Sequence, residues 1–298
     1  MKSKSVVQTA EKKSIIDIFK PEEKELNKKK QLEQVVQGEI WVVKKFLSTK
    51  QCEDIIKFSE GQGFKEALVN VGYGLGVLNK DFRDCNRVMV DDVETAQYLA
   101  EKLRPYVPLC QEGALYHGMN ERFRILKYSK DQKFAMHQDG CWSPQRDIFS
   151  ILTIQFYLNT VEFGGSTRFE WVGWDSKEYN CKSEEGKVVI FRQHGWWHEG
   201  SHVLKGLKYT VRNDLMFKLY TQKEWDKQKQ LHDLTCGICT KKVQAEVLQC
   251  GHLFLFCGCH AFYNGDIHTN PEEKKRLRSC CQCTKRIQST SKELYEIL

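Results

Sequence analysis

The spacing of hydrophobic and polar residues changes along the chain, from a helical period to short strands. Ser48 followed by apolar residues at helical spacing predicts a capped helix that ends at Gly61 or Gly63, and Val93–Leu103 predicts a second helix that stops near Pro105. Runs rich in β-branched and aromatic residues, separated by Gly, Asn and Asp, predict strands at 41–47, 123–128, 148–158, 188–192 and 209–219. Helices together with many strands indicate an α+β domain built on a β-sandwich or barrel.

The remaining segments differ from this domain in composition. Residues 1–38 are rich in Lys, Glu and Gln and predict a flexible tail, whereas 39–220 have the composition of one globular domain. Residues 221–232 are polar and helix-prone, which predicts a linker helix. The linker leads to a cysteine-rich domain at 233–288 and a polar tail at 289–298.

A short apolar stretch at 14–21 interrupts the N-terminal tail. Its sequence, SIIDIFKP, faintly resembles the motif by which proteins dock on the sliding clamp. Lys12 stands in place of the expected glutamine, and Ile18 in place of one of the two aromatic residues. The alternative is an amphipathic turn that packs on the globular domain.

The composition is that of a folded protein with no strong charge bias. Hydrophobic residues make up 41% and charged residues 29% of the 298, which argues against global disorder. Both signs of charge occur in every region and the net charge is +7, so nucleic-acid binding is not indicated. No apolar stretch approaches the roughly 18 residues that span a bilayer, and the N-terminus is lysine-rich. We therefore expect no membrane segment and no secretory signal, and a location in the cytoplasm or nucleus.

The 13 cysteines fall into two groups. Eight of them lie between Cys236 and Cys283, interleaved with histidines, which indicates metal binding. The others are scattered without a repeated spacing, which is typical of buried, inert thiols in a reducing compartment: Cys52, Cys85, Cys110, Cys141 and Cys181.

A candidate iron site comes from three residues. His137 and Asp139 are two apart on a predicted strand, so their side chains face the same side. With His198 from a distant loop they supply two imidazoles and a carboxylate, a set that suits non-haem Fe(II) oxygen chemistry. The His-x-Asp pair alone is equally compatible with surface turn residues.

The residues around this pair strengthen the iron interpretation, because several motifs follow in order. Together they resemble the catalytic domain of the prolyl-4-hydroxylase-like 2-oxoglutarate/Fe(II) dioxygenases. The likeness covers about 39–220, and its upstream part, 64–70 and 87–91, looks like the family's N-terminal helical support. The motifs are Tyr128, Gln132-Lys-Phe134, His137-x-Asp139-Gly140, Leu158-Asn159, Gly164-Gly165-Ser-Thr167-x-Phe169, His194 to His198-Glu-Gly200 and Val203-x-x-Gly206-x-Lys208-Tyr209.

The resemblance implies a double-stranded β-helix (jelly-roll) core with supporting helices. It assigns His137, Asp139 and His198 as iron ligands, and it assigns Lys208 and Tyr128 to the far carboxylate of 2-oxoglutarate. Arg212 lies four residues beyond Lys208 on the same face of the strand and is an alternative for that role, which stays open. The implied reaction hydroxylates a C–H bond with O₂ and yields succinate and CO₂. Ascorbate is implied by the same resemblance.

The cysteine-rich segment resembles a RING-type zinc finger. Four ligand pairs in one short segment predict two zinc ions. Cross-bracing as in that family assigns the first zinc to Cys236, Cys239, Cys257 and His260, and the second to Cys250, His252, Cys280 and Cys283. Cys259 and Cys281 are surplus, and either is an alternative ligand. Ile238 occupies the position where such fingers contact a ubiquitin-conjugating enzyme.

The leading hypothesis is a 2-oxoglutarate-dependent hydroxylase of a protein or peptide, prolyl-like, with a zinc module for partner binding. One rival is a RING-type ubiquitin ligase, with a ubiquitin-conjugating enzyme as partner, whose oxygenase domain only recognises the substrate. The other is a hydroxylase of a small molecule. The sequence leaves the substrate and the oligomeric state open.

Overall fold

The computed structural model describes residues 14–20, 31–36, 39–71, 75–171, 177–227, 234–238, 240–247 and 253–256. Within these ranges the chain forms a strand-rich α/β fold. Its helices are α1 (Ile15–Phe19), α2 (Thr49–Gln62), α3 (Val93–Leu103) and α4 (Gln222–Lys227), with a 3₁₀ turn at Arg104–Tyr106. In the described part of the chain, no helix combines the length and the apolar character that crossing a bilayer requires.

The strands of the described residues are mostly short, and the longest two lie in the middle of the main sheet. In chain order they are β1 (Gln31–Val36), β2 (Ile40–Lys44), β3 (Lys65–Glu66), β4 (Val69–Asn70), β5 (Gly76–Val77), β6 (Arg83–Asp84), β7 (Asn86–Asp91), β8 (Cys110–Gln111), β9 (Ala114–Met119), β10 (Arg122–Tyr128), β11 (Lys133–His137), β12 (Ile148–Tyr157), β13 (Phe163–Gly164), β14 (Thr167–Trp171), β15 (Lys177–Cys181), β16 (Val188–Arg192), β17 (Trp196–Gly200), β18 (Val203–Lys205), β19 (Lys208–Lys218), β20 (Gln244–Val247) and β21 (Leu253–Phe256).

The two long helices begin where the sequence predicts them. Ser48 and Gln51 form a reciprocal capping box at the start of α2, in which each side chain accepts the other's backbone N–H. Asp92 caps α3 by accepting a hydrogen bond from the backbone N–H of Thr95 at 2.7 Å. The predicted bounds of α3 are confirmed, because the chain leaves the helix through the turn that contains Pro105.

Two sheets build the domain. The larger has the order β1-β2-β16-β12-β19-β10-β7-β3, with β9 and β8 added beside β19, and the smaller has the order β15-β14-β17-β11-β6. Apolar side chains from both sheets form one cluster between them, which includes Tyr157 and Phe191 from the larger and Phe169 and Trp196 from the smaller. Two antiparallel sheets that face each other are consistent with the predicted jelly roll.

The other face of the large sheet packs against the helices and forms the main core. This core extends from Ile15 in α1 to Leu255 in β21 and includes Leu99 of α3 and Trp225 of α4. The β20–β21 hairpin therefore belongs to the same core as the central strands, and the backbone N–H of Leu255 donates to the carbonyl of Gly113 at 3.1 Å. The division of the chain into domains remains a prediction.

The stretch at 14–21 packs on the domain, as the amphipathic-turn alternative predicts. Ile15, Ile16, Ile18 and Phe19 are each at most 5% exposed, and Gln51 of α2 donates to the carbonyl of Phe19. Because these apolar side chains are buried inside the chain's own core, they are not presented to a sliding clamp. The predicted tail thus contributes two packed elements, α1 and β1.

The segment 64–70, which the resemblance assigns to a helical support, contains the short strands β3 and β4 and no helix. The segment 87–91, assigned to the same support, lies instead in strand β7. Its residues pair with β10 over the full length of the segment. The side chains alternate in exposure as in a strand, with Val88 buried and Met89 exposed, so this expectation was wrong.

Candidate active site

His137 and His198 meet because two strands of the small sheet are neighbours. His137 is the last residue of β11 and His198 is the middle residue of β17, and the two lie directly opposite each other in the pairing. Opposed residues in an antiparallel pair point to the same face. Their ring centroids are 4.3 Å apart, and the ring of His137 stacks on Phe134 at 3.7 Å.

Asp139 completes the cluster from the loop that follows β11. Its Oδ1 lies 3.9 Å from Nε2 of His137, and its Oδ2 lies 3.5 Å from Nε2 of His198. The three residues each offer one ligand atom, and these three atoms all lie within 4.8 Å of one another. The donor set of two imidazoles and one carboxylate therefore fits a divalent metal that keeps open positions, such as non-haem Fe(II).

The protonation states suit metal binding. Burial lowers the pKa of His198 to about 3 and lowers that of His137 as well, so both rings are neutral near pH 7. Nδ1 of His137 lies 2.7 Å from the carbonyl oxygen of Ala135 and must donate to it, which leaves the lone pair on Nε2. Burial alone raises the pKa of Asp139, but Arg212 and the two histidines outweigh it and hold that pKa well below its usual range.

Two further side chains hold the carboxylate of Asp139 in place. Thr153 of β12 donates from Oγ1 to Oδ2 at 2.7 Å, and Arg212 of β19 lies 3.0 Å from Oδ1. Arg212 also lies 2.9 Å from Oδ1 of Asp214. Both oxygens of Asp139 are thus oriented, and the guanidinium of Arg212 is shared between two carboxylates.

Lys208 is a buried cation in the same interior. It lies at the start of β19 opposite Tyr128 of β10, and it is 2% exposed. Its Nζ lies 5.3 Å from the ring centroid of Tyr128 and 5.8 Å from that of Tyr157. Within the described residues it forms no ion pair, and burial lowers its pKa to about 8. A buried lysine without a counter-charge is what an incoming carboxylate would neutralise.

Of the site residues expected from sequence, the structure brings His137, Asp139 and His198 together and places Arg212 against them. Lys208 and Tyr128 form a second group further along β19 and β10. Among the expected zinc ligands only Cys236 belongs to the described residues, where it is buried in the main core. The others lie outside the described residues: Cys239, Cys250, His252, Cys257, His260, Cys280 and Cys283, together with the surplus Cys259 and Cys281.

Several neighbours of the site were not singled out in the sequence. Phe82 packs edge-on against His137, with 6.2 Å between ring centroids, and the guanidinium of Arg83 lies 4.6 Å from the ring centroid of Phe134. Gln193 donates to Asp214 at 3.1 Å. Phe82 and Arg83 come from a two-residue strand and its preceding turn, which have too few residues for a period to show.

The comparison with protein families addresses the segment that contains the three clustered residues. Residues 123–213 match the 2OG-Fe(II) oxygenase superfamily. The matched segment includes the three clustered residues as well as Lys208, Tyr128 and Arg212. The oxygenase part of the sequence-based expectation is therefore supported, whereas the match does not extend to the cysteine-rich segment.

Three solved structures are similar in part. A prolyl-4-hydroxylase from Pseudomonas putida has a TM-score of 0.45 and 12% identity, over 59% of this chain and 91% of that one. A Trichoplax adhaerens prolyl hydroxylase, solved with a peptide fragment of hypoxia inducible factor, has a TM-score of 0.46 and 14% identity, over 64% of this chain and 88% of that one. A viral collagen prolyl hydroxylase from Paramecium Bursaria Chlorella virus-1, solved with 2OG, has a TM-score of 0.41 and 15% identity, over 61% of this chain and 96% of that one. The search of curated proteins finds no match.

Proposed function

We propose that this protein is a 2-oxoglutarate- and O₂-dependent Fe(II) hydroxylase that acts on a protein or peptide side chain. The observation that carries the proposal is the convergence of His137, Asp139 and His198 within the segment that matches the oxygenase superfamily. Fe(II) and 2-oxoglutarate, when bound, supply the oxidation of a C–H bond by O₂, with succinate and CO₂ as co-products. The choice of a prolyl-like target comes from the sequence resemblance alone.

In this proposal the metal ligands are Nε2 of His137, a carboxylate oxygen of Asp139 and Nε2 of His198. Arg212 and Thr153 act as positioning residues, because they fix the orientation of the Asp139 carboxylate by contacts of 3.0 and 2.7 Å. Their hydrogen bonds also keep that carboxylate ionised.

Lys208 is proposed to bind the far carboxylate of 2-oxoglutarate, and Tyr128 to donate a hydrogen bond to it. The contacts of Arg212 support this choice, since its guanidinium already neutralises Asp139 and Asp214. Lys208 has no such partner among the described residues, and the phenol of Tyr128 is buried and stays protonated because burial raises its pKa.

The test is conversion of 2-oxoglutarate to succinate by the full chain with Fe(II), together with mass spectrometry for a +16 Da mark on peptides or host proteins. We expect His137→Ala and His198→Ala to abolish both products. His202→Ala is the matched control, because His202 is exposed and bonds only to the Asp131 carbonyl in the described structure. Normal succinate formation by His198→Ala would contradict the proposal, as would a wild type that forms none under any iron loading.

The cysteine-rich segment is proposed to bind two zinc ions and to serve partner binding. The ligand spacing supports this, and Cys236 lies in a tight turn in which the N–H of Thr240 donates to its carbonyl. Metal analysis of the purified chain should find two zinc ions, with fewer in Cys236→Ser. Activity assays with and without ascorbate, and autoubiquitination with a panel of conjugating enzymes, test the remaining expectations.

A further inference from the structure

Strand β7 carries an arginine on the face of the large sheet that bears the metal-facing residues. Arg87 lies opposite Leu126 in the pairing of β7 with β10, and Arg124, two residues away on β10, lies opposite Arg212 on β19. Directly paired residues share a face, and residues two apart on a strand do so as well. Arg87 therefore shares the face of Arg212, whereas Val88 faces the main core and is 6% exposed.

This arrangement sets the distance from Arg87 to the candidate metal site. Two strand spacings and two residues along the strand separate the Cα atoms of Arg87 and Arg212 by about 12 Å. Arg212 in turn touches Asp139. An extended peptide covers about 12 Å in three to four residues. A peptide whose reacting residue lies at the metal thus brings its near neighbours to Arg87.

Arg87 belongs to a group of five arginines, of which it alone has no partner within the described structure. The partners of the other four are Asp91 for Arg122, Asp214 for Arg124, Asp139 and Asp214 for Arg212, and the Cys85 sulfur and Phe134 ring for Arg83. The guanidinium of Arg87 forms no hydrogen bond or ion pair with any residue that the structure describes, although the side chain is half-buried.

The group carries an excess of positive charge. Three of its five guanidinium groups contact the carboxylates of Asp91, Asp139 and Asp214, so these five arginines and three aspartates together carry a net charge of about +2. Burial lowers the pKa of Arg87, and the like charges of Arg83 and Arg124 lower it further. A half-buried guanidinium among like charges is stabilised by a bound anion, which it can hold through two parallel N–H···O bonds.

We propose that Arg87, with Arg83 beside it, binds an anionic group of the peptide substrate, within about three residues of the residue that is oxidised. The inference rests on the proposed function and specifies its substrate: a peptide with an acidic side chain or a phosphorylated residue next to the target. Arg87 is then a specificity-determining residue and takes no part in binding 2-oxoglutarate.

The first experiment reads the substrate preference directly. Random peptides with a central proline are incubated with the full chain, Fe(II), O₂ and 2-oxoglutarate, and the products with +16 Da are sequenced. We expect Asp, Glu or phosphoserine to be enriched near the oxidised residue, and the enriched residue tells a carboxylate from a phosphate. In Arg87→Gln the enrichment disappears, and KM for an acidic peptide rises by about 10- to 100-fold while KM for 2-oxoglutarate is unchanged.

Arg122→Gln is the matched control. It removes the same charge from the same group, but Asp91 already occupies that guanidinium with two bonds of 2.7 Å. We expect its KM for the acidic peptide to change less than about threefold, as for an exposed paired charge. Equal oxidation of neutral and acidic peptides by the wild type, or acidic enrichment that survives in Arg87→Gln, overturns the inference.

The second experiment needs no substrate turnover. Phenylglyoxal modifies accessible arginines, and peptide mapping follows Arg87 with 2-oxoglutarate held at saturation throughout. Phosphate or N-acetylglutamate should protect Arg87, and unchanged labelling overturns the inference. Binding of 2-oxoglutarate is measured in the same samples. If 2-oxoglutarate binds but the anions do not protect Arg87, only the role of Arg87 is contradicted. If 2-oxoglutarate does not bind, the proposed function is contradicted.

Discussion

Replacing Lys208 by methionine should stabilise the free protein. The two side chains have similar volume and are both unbranched, so the core has little to rearrange. The difference between the ordinary pKa of 10.5 and the value of about 8 that burial imposes corresponds to about 3 kcal/mol of unfavourable free energy in the folded state. Lys208→Met removes this term, and Tm should rise by about 6–12 °C at pH 7.

The pH dependence of stability tests independently whether Lys208→Met is stabilising. Below pH 8 the lysine is charged in both the folded and the unfolded chain, so the variant has its full advantage. Between about pH 8 and 10.5 the folded lysine loses its proton while the unfolded one keeps it, which removes the unfavourable term from the wild type. The stability difference between variant and wild type should therefore vanish as the pH approaches 10.5.

The assay is urea unfolding of both proteins from pH 7 to 10, with and without 2-oxoglutarate. Saturating 2-oxoglutarate should stabilise the wild type, whereas Lys208→Met should bind it about 100-fold more weakly or worse. Lys187→Met is the control, because Lys187 is equally buried near Tyr157 but lies 3.0 Å from Glu184. It should show no gain in stability. A Lys208→Met protein less stable than wild type at pH 7 would refute the reasoning.

Three further predictions follow from single contacts. Arg212→Lys should weaken Fe(II) binding about 10- to 100-fold, because lysine lacks the planar fork whose two nitrogens contact Asp139 and Asp214. An unchanged anaerobic metal titration would contradict this. Gly237→Ala should lower the free energy of unfolding by about 1–3 kcal/mol, since a Cβ there would lie 2.6 Å from Cα of Pro105. Gly61→Ala, with nothing within 4 Å, should instead be neutral or stabilising in the same urea titration. Phe19→Ala should cost about 3–5 kcal/mol, and a loss below 1 kcal/mol would show that α1 does not belong to the core.

The features that local sequence determines were predicted well. The capping box at Ser48 and the turn at Pro105 act within a few residues, so the bounds of α2 and α3 follow from the nearby sequence. The face shared by Lys208 and Arg212 follows from the period of a strand. The same reasoning fails for two-residue strands such as β6, which have no period.

The arrangement of the candidate site depends on the pairing of strands that are far apart in the sequence. Nothing near His137 indicates that it lies opposite His198; the residue types suggested the group, and the family resemblance strengthened it. The competition between Lys208 and Arg212 stayed open in the sequence because both face the same side. Their neighbours on other strands differ, with Asp139 against Arg212 and tyrosine rings beside Lys208, and this difference supports the proposed role of Lys208.

The main core described above also constrains the order in which the chain acquires its structure during synthesis. Ile15 and Leu255 belong to one cluster, yet about 240 residues separate them. At ribosomal rates of about 5–20 residues per second, α1 emerges roughly 12–48 s before the hairpin strand that shares its core. Until then the outer face of the large sheet lacks part of its cover, so a nascent chain halted before β20 exposes apolar surface to chaperones. The core behind the large sheet is therefore complete only after the cysteine-rich segment has begun to emerge.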